Sequence, residues 1–266
     1  MTQAPRGTHN FRLDGKVVAI TGAGSGIGRA IALRFAAQGA TIRLLDISET
    51  NANAVCAEIR RAGGNASMHI CDVTDPVQVN GTFEGLFRQE RIHVLVNNAG
   101  ISHVGTVENT SDEDFDRLLR VNVKGFYHCL RTVVRQMKDK GSGVILNMAS
   151  ISGSTGLADR FAYSTTKGAV IAMTYSVARD YLEYGIRCNC ISPARVHTPF
   201  VDDYLKKNYP GHEQEVFSKL AKSQPVGRMA EPDEVASLAL FLCSDEASFI
   251  TGVDYPLDGG YFNLRG

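Results

Sequence analysis

Short apolar runs alternate with longer amphipathic stretches along most of the chain. Lys16-Val-Val-Ala-Ile20, Ala40-Thr-Ile-Arg-Leu-Leu45, Ala66-Ser-Met-His-Ile-Cys71, His93-Val-Leu-Val96, Val144–Ala149 and Ile186–Ile191 have the length and apolar content of buried strands. Thr251 to Gly260 adds a last strand followed by a glycine turn. Between these runs, apolar residues recur at helical intervals: up to Gln38, from Thr50 to Ala62, from Pro76 to about Glu90, from Phe115 to Met137, from Ala162 to Tyr184 and from Pro232 to Cys243. Gly39 and Gly63-Gly64 are placed to stop two of the helices, and Ser111 to cap another. Regular alternation of this kind predicts an α/β fold with a parallel sheet covered on both faces. Two stretches break the rhythm. Val121-Asn122-Val123 interrupts the pattern of residues 115–137; Asn122, if buried, needs hydrogen-bond partners, and both a satisfied core amide and a functional amide stay open. Asp202 to Ser223 is polar, with Tyr209-Pro-Gly211 in its middle, and reads as a helical excursion outside the core.

With 266 residues, 44% of them hydrophobic, the chain has enough apolar surface for one large core, so residues 12–266 are expected to form a single domain with a small substrate lid around 196–225. Residues 1–11 lack the apolar centre of a signal peptide and read as a flexible tail. Twenty-eight basic residues balance twenty-eight acidic ones without a basic block, which points away from nucleic acid and membrane surfaces. Six scattered cysteines fit free, buried thiols in a reducing cytoplasm. Neither Cys188-x-Cys190 nor the histidines has the spacing of a ligand set, so no metal is expected.

The candidate chemistry starts at Thr21-Gly-Ala-Gly-Ser-Gly-Ile-Gly28, between the first strand and the first helix. A glycine turn there lets backbone approach a pyrophosphate at a helix N-terminus. The spacing of Gly22, Gly26 and Gly28 differs from the usual dinucleotide fingerprint, and a plain tight turn remains an alternative. Asp46 ends the second strand, roughly 20 residues on, where a carboxylate binds ribose hydroxyls and repels a 2′-phosphate; a helix N-cap is its other reading. No cation beside the turn is placed to hold that phosphate, since Arg43 lies inside the strand and Arg29 within the helix. NAD is therefore preferred to NADP. Tyr163 and Lys167 are one helical turn apart, so phenol and ammonium share a face. A neighbouring ammonium is expected to lower the phenol's pKa and fit it for proton exchange with an alcohol or ketone. Ser150, at the end of the fifth strand, can hydrogen-bond the same substrate oxygen.

TGAGSGIG (21–28), Asp46, Asp72, NNAG (97–100), Asn122, Ser150, YSTTK (163–167) and ITGVDYPLDGG (250–260) occur in an order and spacing that resemble the short-chain dehydrogenase/reductase family over roughly residues 12 to 262. The resemblance implies a doubly wound Rossmann fold with a seven-stranded parallel sheet and a catalytic set of Asn122, Ser150, Tyr163 and Lys167. It further implies cofactor contacts from Gly22, Ser25, Gly26, Ile27, Gly28, Asp46 and Ile47. Asp72 and Val73 would meet the adenine, Asn98 would lie along the cofactor, and Val196 and Thr198 would hold the carboxamide. A homotetramer is the usual assembly. Pro193-Ala194 departs from the family's Pro-Gly, and strain follows if that position needs a positive φ.

For the substrate, Ser150, Tyr163, Ser152 and Arg160 are the candidates, although Ser152 has no assigned role. Arg160 stands three residues before Tyr163, and Arg195 lies in the loop expected at the opposite wall. Arginine suits a carboxylate, so the expected activity is NAD-dependent interconversion of a secondary alcohol and a ketone on a sugar, a sugar acid or a hydroxy acid. A solvated or interface role for Arg160 is the alternative. An NADPH-dependent 3-oxoacyl-[acyl-carrier-protein] reductase would share the motifs, but Asp46 argues against it. A non-catalytic NAD-binding sensor would keep the turn without needing the Tyr-Lys pair.

Overall fold

In a computed structural model, residues 11–264 are described. The tail expected at 1–11 therefore lies, except for Phe11, outside the described residues. Seven strands form one sheet in the order β3-β2-β1-β4-β5-β6-β7. They are β1 (Val17–Thr21), β2 (Thr41–Asp46), β3 (Asn65–Ile70), β4 (Val94–Asn97), β5 (Gly143–Met148), β6 (Ile186–Pro193) and β7 (Asp254–Leu257). Every pairing is parallel, with Ile20 level with Leu44 on one side and Val96 on the other.

The strands are apolar on both sides because both faces are covered. On one face, α1 (Gly26–Ala37), α2 (Glu49–Arg61) and α9 (Pro232–Cys243) pack Ile31, Phe35, Val55, Ile59, Val235 and Leu240 against Val18, Ile20 and Ile42. On the other, α3 (Pro76–Phe87), α5 (Gly125–Asp139) and α6 (Phe161–Asp180) bury Val79, Phe83, Val133, Met137 and Ala178 against Ala19, Leu45, Leu95 and Ile145. Strand order reverses direction at β1 and β4, and the crevice beyond their C-terminal ends is where doubly wound sheets bind ligands.

Two departures from the sequence pattern, and one excursion expected from it, bear on the site. The break at Val121-Asn122-Val123 is a π-helical turn, Leu119–Lys124, that joins α4 (Asp112–Leu118) to α5. It inserts a wider turn into the helix, so the apolar repeat slips there. Next, β6 runs two residues beyond Ile191, through Ser192 and Pro193. Pairing with Pro256 and Leu257 of β7 extends it, and Pro193 is tolerated at the strand's last position because Ala194 N donates to Leu257 O at 3.0 Å. Finally, the polar stretch after residue 198 folds as two helices, α7 (Pro199–Asn208) and α8 (Glu213–Lys222), broken at Tyr209-Pro-Gly211.

Candidate active site

A cleft of roughly 640 Å³ opens over the C-terminal ends of β1, β4, β5 and β6. At one end lies the glycine turn. Gly22 (φ 63°) and Gly26 (φ 50°) need the left-handed region, and a Cβ on Gly28 would sit 2.1 Å from Gly22 O. Asn98 ties the end of β1 to the segment after β4: its N–H donates to Thr21 Oγ1 at 3.0 Å and its side-chain amide to the Thr21 and Gly22 carbonyls at 3.1 and 3.0 Å. Ser25, the N-cap of α1, makes no capping bond with its side chain, and the first turn carries no acidic residue. The N–H groups of that turn therefore face the cleft without a protein anion, an arrangement suited to a pyrophosphate.

Asp46 borders the same end. Its Oδ2 accepts from Gly24 N at 2.7 Å and its Oδ1 from Ser48 N at 2.9 Å. The cap of α2 is Ser48, whose hydroxyl accepts from Asn51 N, so the N-cap reading of Asp46 does not hold. A carboxylate accepts about four hydrogen bonds, which leaves capacity for ribose hydroxyls. The two nearby arginines are engaged elsewhere: Arg29 with Glu58, and Arg43 with Glu90.

Midway along the cleft are Ser150, Tyr163 and Lys167. The i,i+4 placement on α6 puts the Lys167 ammonium 5.7 Å from the Tyr163 ring centre, and its Nζ donates to Met148 O at 2.8 Å. Lys167 is buried, and burial lowers its pKa to about 8. The expectation that Lys167 depresses the Tyr163 pKa is not met. Enclosure raises the phenol above its ordinary value, opposed by a hydrogen bond from Ser150 and by the charge of Arg160. Ser152, unassigned from sequence, orients Ser150: its N–H and hydroxyl both donate to Ser150 Oγ, at 3.2 and 3.0 Å. That leaves the Ser150 proton directed to the cleft.

Asn122 lies in the π-helical turn, fully buried and outside the cleft lining. Its Oδ1 accepts from Ile101 N, and its Nδ2 donates to Ile101 O and Thr166 Oγ1, at 2.9, 2.8 and 3.0 Å. The amide thus ties the loop after β4 to α6. Gly28, Ile47, Asp72 and Val73 do not line the cleft either. Asp72 accepts from Thr74, and Val73 O pairs with His128. Gly22, Ser25, Gly26, Ile27, Asp46, Asn98, Ser150, Ser152, Arg160, Tyr163, Lys167, Val196 and Thr198 share the cleft. Sequence reading did not single out the residues of its far wall, where Phe200, Val201, Leu220, Ser223, Gln224, Met229 and Tyr261 come together, although the lid expected at 196–225 spans the first five. Those residues carry no motif; only the polar excursion hinted at a lid.

A family model described as enoyl-(acyl carrier protein) reductase matches residues 22–262. The chain is 39% identical over 251 residues to dehydrogenase/reductase SDR family member 6 of Xenopus laevis, covering 94% of this chain and 98% of that one. The chain belongs to the short-chain dehydrogenase/reductase family. Among solved members, NAD+-bound xylitol dehydrogenase superimposes with a TM-score of 0.88 at 37% identity, over 95% of this chain and 100% of the other. A Beutenbergia cavernae protein solved with NADP at low occupancy superimposes with a TM-score of 0.88 at 32% identity, over 95% and 99%.

As a member of the short-chain dehydrogenase/reductase family, the protein is an oxidoreductase that acts on CH–OH groups and uses a nicotinamide dinucleotide. The turn, the free helix N-terminus and Asp46 fit that cofactor. Its one departure from the family pattern carries no strain: among the described residues only Phe11 and Asp159 are non-glycines with positive φ, so Ala194 sits in ordinary backbone.

Proposed function

We propose that the protein is an NAD(H)-dependent dehydrogenase that interconverts a secondary alcohol and a ketone on a sugar, sugar acid or hydroxy acid, acting as a cytoplasmic homotetramer. The observation that carries this reading is the convergence of Ser150, Tyr163 and Lys167 in one cleft whose other end is bordered by Asp46. The xylitol dehydrogenase likeness supports a polyol-like substrate. All six cysteines are free and buried, which suits a reducing compartment. Exposed Tyr127, Phe161 and Tyr175 on α5 and α6 offer apolar surface for assembly.

When bound, the dinucleotide accepts or supplies the hydride at its nicotinamide ring. Tyr163 exchanges the proton with the substrate oxygen, and Ser150 steadies that oxygen with the proton that Ser152 leaves free. Lys167 keeps N–H groups beyond its bond to Met148 O for the ribose hydroxyls. Asn122 positions α6 against the loop after β4. Asp72 and Val73 would contact the adenine, while Val196 and Thr198 hold the carboxamide. Residues around 196–225, including α7 and α8, serve as the substrate lid.

Asp46 would repel a 2′-phosphate, and neither Arg29 nor Arg43 is free to hold one, which disfavours the NADPH-dependent acyl reductase. The test is NAD reduction across polyols, sugar acids and hydroxy acids, compared with NADP and with Tyr163→Phe. Turnover with NAD should fall about a thousandfold or more in that variant while NAD affinity stays within about threefold. Equal activity in the variant, or a preference for NADP, would overturn the reading.

A further inference from the structure

Two guanidinium groups converge on the substrate end of the cleft. Arg160 precedes α6, held there by a bridge in which Gly105 N donates to Asp159 O at 2.9 Å and Phe161 N to Gly105 O at 3.1 Å. Arg195 sits on the opposite wall, its backbone fixed by Ala230 N donating to its carbonyl at 2.9 Å. Both line the cleft with Tyr163. Among the described residues, neither is paired with a carboxylate: Arg160 Nη1 donates to Asp159 O, and Arg195 Nε to Ser223 Oγ.

Unpaired cations facing one another are costly. Burial, and then the charge of Arg160, push the Arg195 guanidinium below its ordinary pKa. Arg160 also stands at the positive end of the α6 dipole, whose first turn has no acidic residue. An anion placed between the two would relieve all three penalties.

The far wall adds a second, independent requirement. The Ser223 hydroxyl gives its one proton to Leu220 O at 2.7 Å, so its lone pairs take the Arg195 Nε–H and the Gln224 Nε2–H. That bonding sets the Gln224 amide, on a residue that borders the cleft. Gln224 is only 3% exposed, and its Oε1 has no hydrogen-bond partner among the described residues. A buried acceptor of this kind calls for a donor from the ligand.

We propose that Arg160 and Arg195 form a carboxylate site and that Gln224 Oε1 accepts a hydroxyl, so the substrate is a hydroxy acid bound as its anion. This rests on the dehydrogenase reading, and it narrows the three substrate classes named there to the acids. Ser223 and Gln224 are positioning and specificity residues that follow α8; the lid therefore aims the arginine as well as covering it.

The test pairs acids with neutral analogues: D-gluconate with sorbitol, 3-hydroxybutyrate with 1,3-butanediol, and lactate with 1,2-propanediol. Binding to the NADH-loaded protein is measured by calorimetry, in wild type and in Tyr163→Phe, alongside NAD reduction. At least one acid should bind more than about tenfold better than its neutral partner. That preference should fall on the order of tenfold in Arg195→Met and in Arg160→Met, with KM rising and kcat little changed for an acid that turns over. Gln224→Met should weaken gluconate more than 3-hydroxybutyrate. The proposal is overturned if no acid is preferred, or if the preference survives loss of either arginine. Arginine-dependent binding without turnover would sink the dehydrogenase reading and leave the site standing. Turnover indifferent to both arginines would do the reverse.

Discussion

At the glycine-turn end of the cleft the lining is largely backbone, tied by bonds between adjacent strands, whereas at the arginine end it consists of side chains carried by segments far apart in the sequence. Gly28 leaves no room for a methyl group, and Asn98 holds β1 and β4 together with three bonds. Arg160, Arg195 and Gln224 come from the start of α6, the loop after β6 and the residues after α8. The first end is fixed by backbone and by bonds between adjacent strands, so its geometry is rigid. The second holds uncompensated charge and an unfilled hydrogen bond, features that cost stability and that the proposed anion would offset.

The largest effect should come from crowding the rigid end. Gly28→Ala places a Cβ against Gly22 O, and opening the turn should cost on the order of 3 kcal/mol or more and abolish measurable NAD binding. Calorimetry with NAD and urea unfolding check both; a variant with normal NAD affinity would break the contrast. Lys167, between the two ends, tests the cost of buried charge. Its folded pKa of about 8 lies below the ordinary value of 10.5, so its stabilising contribution is present above 10.5 and lost as pH falls to 8. Lys167→Met should lose turnover yet make the cofactor-free protein more stable at pH 7, by as much as about 3 kcal/mol. The gain should shrink as pH rises from 8 to 10.5, read from urea midpoints across that range.

Asp46→Asn keeps an acceptor for Gly24 N and removes the charge. The ratio of kcat/KM for NAD over NADP should drop about 30-fold, measured by initial rates with each nucleotide. The smallest effect belongs to the open end: Arg195→Met should raise Tm by about 1–2 °C, because it removes a desolvated charge that faces another. A fall in Tm instead would mean that Arg195 holds the fold together and is not held ready for a ligand.

Much of the rigid end was legible because its contacts are local. The glycine turn, its helix and Asp46 lie within twenty-six residues, from Thr21 to Asp46, and backbone preferences determine their conformation. Tyr163 and Lys167 were legible for the same reason, one turn apart on a helix. The interruption at Asn122 showed in the apolar repeat, although nothing in the repeat indicated that Ile101 and Thr166 would take up its amide. Ser223 and Gln224 were invisible, since a serine and a glutamine after a polar helix are ordinary surface residues until folding places them beside Arg195.

Strand and helix periodicity, the stops at glycine and the spacing of the phosphate turn are properties of neighbouring residues, and the chain alone determined them. The direction of the Tyr163 pKa shift, the facing of Arg160 and Arg195 and the unpaired acceptor on Gln224 were decided by tertiary structure. Burial and long-range charge depend on which segments close over a group, and no local pattern of residues encodes that.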